Sequence, residues 1–241
     1  MSIRGLAIET SGRTGSIALV EDGNVLDERT FAHGLKHAAG LLPLIADACA
    51  ARNWQPADLR ELYVSVGPGS FTGLRIGVTL AKTLAFATNA TVVAVPSGRV
   101  LVENLPMEAR HAVVVLDAKR QQIFTARYER RDDNVWCIRE PAHVEALAAV
   151  LDRAPRPVHL IGEGIPYHRA FIPQNDVTII ESAENTWQAH AAIVAKIGWA
   201  MARRGEFTPA DTLTPLYIRR PEAEEKADAK LVAATPASPI R

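Results

Sequence analysis

The feature that most constrains this chain is an order of local signals that occurs twice. Residues 3–9 form a short apolar run that ends in Glu9-Thr10-Ser11-Gly12. Runs that favour β structure follow at 15–20 and 25–31, with Glu21-Asp22-Gly23-Asn24 between them. Asp-Gly and Gly-Asn between such runs make a tight hairpin. Leu41, Leu44, Ile45, Ala48 and Cys49 then recur at spacings of three and four, which predicts an amphipathic helix over 36–52. Pro43 falls inside it and is expected in the first turn or at a kink. A strand at 62–66, the turn Gly67-Pro68-Gly69-Ser70, a helix over 71–87 and a strand at 91–95 complete the first half. The second half starts again with a β-run at 111–116 closed by Asp117. Strands at 123–128 and 135–138 turn through Arg131-Asp132-Asp133-Asn134, and a helix over 143–151 and a strand at 158–161 follow. Both halves read strand, strand, strand, helix, strand, with an acid closing the first strand. That is an internal duplication of an α/β unit, without the short fixed period of a solenoid. A last long helix is expected over 186–204.

At 241 residues the chain has room for one large domain or two small ones. The duplication divides it into lobes at 1–105 and 106–220, with the 186–204 helix able to pack back on the first lobe. From Arg219 onward Pro, Ala, Glu, Lys and Ser dominate, so 221–241 is expected to be a disordered tail. Lys plus Arg and Asp plus Glu are equal at 27 each, so the bulk charge builds no basic groove for a nucleic-acid backbone. With 48% hydrophobic residues the chain can bury a core. Two cysteines, Cys49 and Cys137, imply neither a disulfide framework nor a zinc cluster. No apolar run is long enough for a membrane span, and residues 1–5 lack the marks of a signal peptide, so a cytoplasmic protein is expected.

The most informative stretch is Gly67-Pro68-Gly69-Ser70-Phe71-Thr72-Gly73-Leu74-Arg75. A glycine-rich turn before a helix offers backbone N–H groups to an anion. Arg75, however, does not stand where the P-loop lysine should, and a plain turn explains the glycines equally. In the helix itself Gly69, Gly73, Gly77, Ala81 and Ala85 fall every four residues. Glycine within a helix costs up to about 1 kcal/mol relative to alanine, so the stripe needs a reason. Small residues at that spacing leave a groove for another helix: an internal neighbour such as the 36–52 helix, or a helix of a partner protein. Glu9-Thr10-Ser11 brings one acid and two hydroxyls to a strand end, and Asp117 is its counterpart in the second half. Either this is a phosphate or metal-water loop, or Thr-Ser-Gly only turns the chain. His33 and His37 are four apart, but Gly34 follows the first and no acid completes a zinc site. The remaining histidines show no ligand spacing, and no serine sits in a Gly-x-Ser-x-Gly setting.

Taken together, Leu6-Ala7-Ile8-Glu9-Thr10-Ser11, His37 with Leu41-Leu42-Pro43-Leu44-Ile45, and Gly67 through Val78 with Ala81-Lys82 resemble the TsaB (YeaZ) family. Leu116-Asp117-Ala118-Lys119, Ile123-Phe124, Gly162-Glu163-Gly164 and Pro215-Leu216-Tyr217-Ile218-Arg219 continue the resemblance, which covers about residues 3–220. It implies an actin-like, duplicated α/β fold of two lobes, each a mixed sheet flanked by helices. It also implies a non-catalytic role in making threonylcarbamoyladenosine in tRNA. Such a subunit binds and activates TsaD, which transfers the threonylcarbamoyl group to adenosine 37 of tRNAs reading codons that begin with A. TsaE joins the larger assembly, tRNA is met through the complex, and the chain is expected to pair with itself when alone. The partner interface implied is Gly69, Phe71, Thr72, Gly73, Arg75, Gly77, Ala81, His37 and Leu41. Glu9, Thr10, Ser11, Asp117, Gly162 and Gly164 correspond to a vestigial nucleotide site. The catalytic relative carries a His-x3-His metal motif where this chain has Val95-Pro96-Ser97-Gly98-Arg99-Val100-Leu101, so no metal and no cofactor of its own is expected, with ATP confined to the complex. Glu9 stands where the family commonly has Asp, and Phe124 where it has Tyr; the extra methylene of Glu9 displaces the carboxylate from a nucleotide. The alternative is an actin-like ATPase or phosphotransferase, for which only Glu9, Asp117 and Gly162-Glu163-Gly164 are candidates. A metallopeptidase fails for want of a histidine pair.

Overall fold

The computed structural model describes residues 2–32 and 35–219, with side chains described for 2–31 and 40–219. In the first lobe β1 (Arg4–Glu9), β2 (Thr14–Glu21) and β3 (Asn24–Ala32) form an antiparallel meander. Helix α1 (Leu35–Ala50) then leads to β4 (Glu61–Gly67), and α2 (Phe71–Thr88) to β5 (Thr91–Pro96). The strand order is β3-β2-β1-β4-β5, with β1, β4 and β5 parallel. After the short helix α3 (Ser97–Val102) the pattern repeats. β6 (His111–Val114) and β7 (Leu116–Asp117) act as one interrupted strand, pairing with β8 (Ile123–Arg130), which pairs with β9 (Trp136–Glu145). Helix α4 (Leu147–Arg153) leads to β10 (Val158–Ile161), and α5 (Ile165–His168) to β11 (Ile179–Glu181). β10 lies parallel to β6 and β11 parallel to β10. Each lobe thus has its first strand at the centre, a meander on one side and parallel strands on the other. This is the duplicated actin-like α/β fold.

The helix that ends each lobe reaches across to the sheet of the other. α3 reaches the second sheet at β6, β8 and β9 as well as β4 and β5, and α6 (Ala191–Arg203) lies on all five strands of the first. Gly198 and Gly23 make the second contact possible. A Cβ on Gly198 would stand 2.5 Å from the Tyr63 ring, and one on Gly23 would stand 2.6 Å from Trp199. Below them Tyr63 donates from its hydroxyl to Glu61 at 2.5 Å, Arg203 pairs with Glu61, and the Arg203 guanidinium lies 4.0 Å over Trp199. One apolar core therefore runs from Ala7, Tyr63 and Val93 through α3 and α6 to Val113 and Leu160; a second lies on the other face of the first sheet, beneath α1 and α2.

Several expected elements end elsewhere. The helix expected over 143–151 begins at Leu147, because β9 continues through Val144, which pairs with Phe124. The helix expected from 186 starts at Ala191. His190 is extended, and Trp187 is anchored by its indole N–H to Ser182 at 2.9 Å. Pro43 sits in the body of α1 on its exposed side, not in the first turn. The boundary expected at 105 falls between α3 and β6. The tail expected at 221–241 lies outside the described residues. Among the described residues no helix is long and apolar enough to cross a membrane.

Candidate functional site

The ends of the two central strands meet at a cleft of about 700 Å³ between the lobes. Ser11, Gly12 and Arg13 after β1, with Ser70, Thr72 and Ile76 of the α2 entrance, form the first-lobe wall; Asp117, Lys119, Glu163 and Tyr167 are prominent in the other. Local chemistry brings the first wall together. Ser70 caps α2, accepting from the Gly73 amide at 3.2 Å, while its own N–H donates to the Ser11 carbonyl at 2.7 Å. Two N–H groups at this helix end are therefore already used within the chain. Ser97, at the start of α3, accepts from the Gly67 amide at 2.9 Å and shares a hydrogen bond with Ser65 at 2.6 Å, which fixes the Gly-Pro-Gly turn.

The two expected acids occupy different environments. Glu9 is fully buried beneath the cleft rather than lining it; Oε1 accepts the Ser11 amide at 2.5 Å and Oε2 has no partner. Burial pushes its carboxyl above the ordinary range, only partly offset by hydrogen bonds to Ser11 and Ser65. Asp117 lines the cleft. It accepts the Lys119 ammonium at 2.6 Å, the Lys119 amide at 3.1 Å and the His168 ring at 3.2 Å. Burial tends to raise its carboxyl, but the bonds from Lys119 and His168 outweigh that and hold it below its ordinary value. Across the cleft the Arg13 amide donates to Glu163 at 3.2 Å, its guanidinium pairs with the same carboxylate at 3.4 Å, and it donates to the Tyr167 hydroxyl at 2.5 Å. Among the described residues, each ionised group lining the cleft thus has an oppositely charged partner.

The remaining residues of the expected nucleotide set are structural in their contacts. Thr10 is buried, with its Oγ1 2.3 Å from where a Gly77 Cβ would be. Gly162, at φ +131°, and Gly164 let the turn after β10 pass the β6–β7 backbone; a Cβ on either would come within 2.7 Å of the Val115 carbonyl. Among the described residues no cluster of three His, Cys, Asp or Glu could hold a metal ion.

The residues expected at a partner interface are split. Thr72 and Arg75 are exposed, and Phe71 and Gly69 are partly so. The Arg75 guanidinium stacks 3.9 Å over Phe71 and donates to Tyr217 at 2.9 Å. Leu41, Gly73, Gly77 and Ala81 are buried inside the fold. This corrects the idea of an open groove along the small-residue stripe. The groove is filled by the chain itself: a Cβ on Gly69 would stand 2.4 Å from the Ser11 carbonyl oxygen, and one on Gly77 would meet Thr10. The side chain of His37 lies outside the described residues. Sequence reasoning missed the residues that do face outward on these helices: Leu42 and Pro43 on α1, and Phe86 near the end of α2, which is 90% exposed. Their signal was an apolar residue off the buried stripe. Arg13, Lys119 and Tyr167 were missed in the cleft because only the fold brings these loops together.

Comparison with known proteins agrees with this architecture. The family model described as "TsaD: tRNA N6-adenosine threonylcarbamoyltransferase" matches residues 33–226. The tRNA threonylcarbamoyladenosine biosynthesis protein TsaB of Bacillus subtilis is 30% identical over 227 residues, 92% of this chain and 96% of that one. TsaB of Escherichia coli is 26% identical over 240 residues, covering 95% of this chain and 100% of the other. A solved Pseudomonas aeruginosa structure, described as an uncharacterized protein with similarity to peptidase YeaZ, superposes with a TM-score of 0.74 at 25% identity, over 90% of this chain and all of that one.

Proposed function

The chain belongs to the TsaB (YeaZ) family and has a role in the biosynthesis of threonylcarbamoyladenosine in tRNA; on that premise we propose that it is a non-catalytic subunit that binds and activates TsaD. TsaD carries out the transfer to adenosine 37 of tRNAs reading codons that begin with A, TsaE joins the larger complex, and tRNA is met through that assembly. The observation that carries this reading is the outward side of the first two helices. Phe86 is 90% exposed on a helix whose other large apolar side chains are mostly buried, and Leu42 is 53% exposed on the helix before it. These two side chains are the anchors assigned here to the TsaD contact, since buried apolar anchors carry much of an interface's binding energy. The same two side chains are the proposed contact for self-pairing when TsaD is absent. The cleft supports the non-catalytic part, since its acids are sealed or paired.

The test mixes the full chain with purified TsaD and follows sedimentation together with threonylcarbamoyl transfer to tRNA. Association and stimulated transfer are expected for the parent, and neither for Leu42→Ser combined with Phe86→Ser, whose exposure leaves the fold intact. Transfer by the chain alone, or TsaD activity indifferent to its presence, overturns the proposal. The ATPase alternative is judged in the same preparation by phosphate release from ATP without TsaD.

A further inference from the structure

A second cavity, of about 570 Å³, opens where α3 and α6 meet the β8–β9 hairpin, and it shares no residue with the cleft. Val135 and Ile138 on the hairpin are 45% and 51% exposed, and Ile197, Ala200 and Met201 of α6 face the same space. Tyr128 and Trp136 close it from within, both only 3% exposed. The Trp136 indole N–H is buried without a partner, and the Tyr128 hydroxyl, at the cavity wall, makes no hydrogen bond among the described residues. Burial raises the phenol to about 12, so it remains an O–H donor. Gly98 leaves the space beside that hydroxyl, where a Cβ would stand 2.9 Å from it. At the rim Arg99 pairs with Glu103, Arg204 with Glu206, and Asp133 with Arg131 at 2.9 Å. Lys196, exposed on α6, has no carboxylate partner among the described residues.

A mainly apolar cavity of a few hundred Å³ with a small number of convergent polar groups is what small-molecule sites look like. The Tyr128 hydroxyl is a hydrogen-bond donor at the cavity wall that no group among the described residues occupies. We propose that this pocket binds a small aromatic carboxylic acid. Its flat apolar body enters between α6 and the hairpin, and an acceptor at its inner end takes the Tyr128 hydroxyl proton in a hydrogen bond. Its carboxylate stays at the rim against Lys196. The inference is independent of the TsaD reading, since the cavity lies outside the cleft and involves neither Leu42 nor Phe86.

The probe is 6-hydroxy-2-naphthoate, titrated into the full chain by calorimetry, with 2-naphthoate and the neutral 6-hydroxy-2-naphthamide beside it. Saturable one-to-one binding is expected, about tenfold weaker for the amide, a loss matching removal of one charge-assisted contact. Ala200→Trp should abolish binding by filling the cavity, and Lys196→Ala should bring the naphthoate down to the level of the amide. Both positions are exposed, so both variants should melt like the parent. Tyr128→Phe should remove the preference for the hydroxylated probe over 2-naphthoate. No saturation at millimolar probe, equal binding of acid and amide, or unchanged binding by Ala200→Trp each overturns the proposal.

Discussion

The two lobes close their first strands with the same kind of residue and treat it in opposite ways. Glu9 is buried on the α3–α6 face of the first sheet, beside Ser65 and near His190, with one carboxylate oxygen unpartnered, whereas Asp117 faces the cleft and is held by an ammonium, an amide and an imidazole. The last long helix makes the difference: α6, with His190 just before it, lies against the first sheet on the face to which Glu9 points. On the other face Gly69 and Gly77 let the eighteen-residue α2 and the turn before it sink onto Ser11 and Thr10, whereas the four-residue α5 leaves Asp117 at the cleft beside Lys119 and His168. Duplicated topology therefore does not carry duplicated chemistry. What surrounds a strand end decides in which direction its carboxyl is pushed: up for Glu9 by burial, down for Asp117 by Lys119 and His168.

The sharpest way to break this contrast is to pry α2 from the strand end. Gly77→Leu places a side chain into Thr10, and overpacking of this kind costs roughly 1–3 kcal/mol. Thermal melting should fall by about 2–4 °C for each kcal/mol in a protein of this size. Thr10→Ala added to Gly77→Ala should recover most of the loss seen for Gly77→Ala alone, and a Gly77→Leu protein that melts like the parent would mean that the seam is open.

A smaller effect follows from the sealed acid. Because burial raises the Glu9 carboxyl, its contribution is fully present below the ordinary value of 4.5 and is lost as pH rises through the higher folded value. The melting temperature of Glu9→Gln minus that of the parent should therefore grow from pH 4 to pH 7. A difference that stays flat or shrinks would show that Glu9 is ionised at no penalty.

The smallest effect, and the opposite sign, belongs to Asp117. Its carboxyl is held low, so its contribution is present above the ordinary value of 3.8 and disappears as pH falls through the folded value. Asp117→Asn should lower stability at pH 7 by less than about 1 kcal/mol, because the Lys119 partner is 82% exposed. The loss should vanish in acid. Denaturant melts at steps from pH 7 down to pH 2 check it; a loss that does not shrink as pH falls below 3.8 would mean that Asp117 acts through packing.

Much of the architecture was legible because the strands are short, apolar and bounded by turn residues. The first five strands and the 71–88 helix lie within a few residues of where periodicity puts them. The failures have local causes. Val144 and His143 fit a helical spacing with Leu147 and Leu151, yet β8 offers them a partner strand, and pairing across the sheet wins. Helix α3 was passed over because six residues carry too little period to read. In the site, the acids and glycines could be singled out, but not their environments. Nothing in the spacing of residues 69, 73 and 77 says whether a groove is empty, since Thr10 reaches it from a strand far away in sequence. The Arg13–Glu163 and Arg75–Tyr217 contacts, which join distant loops, were invisible for the same reason.

The placement of α6 has a consequence for how the molecule comes into being on the ribosome. Chains emerge from the N-terminus at roughly 5–20 residues per second, and domains made early ordinarily fold early. Here the first sheet is synthesised by residue 96, but the helix that covers one of its faces ends at residue 203. Tyr63 and Val93 must wait, uncovered, while the whole second lobe is translated. The first lobe is therefore no independent module. A nascent chain arrested before residue 191 should remain protease-sensitive and a client for chaperones, and release of the last helix should close both lobes in a single cooperative event.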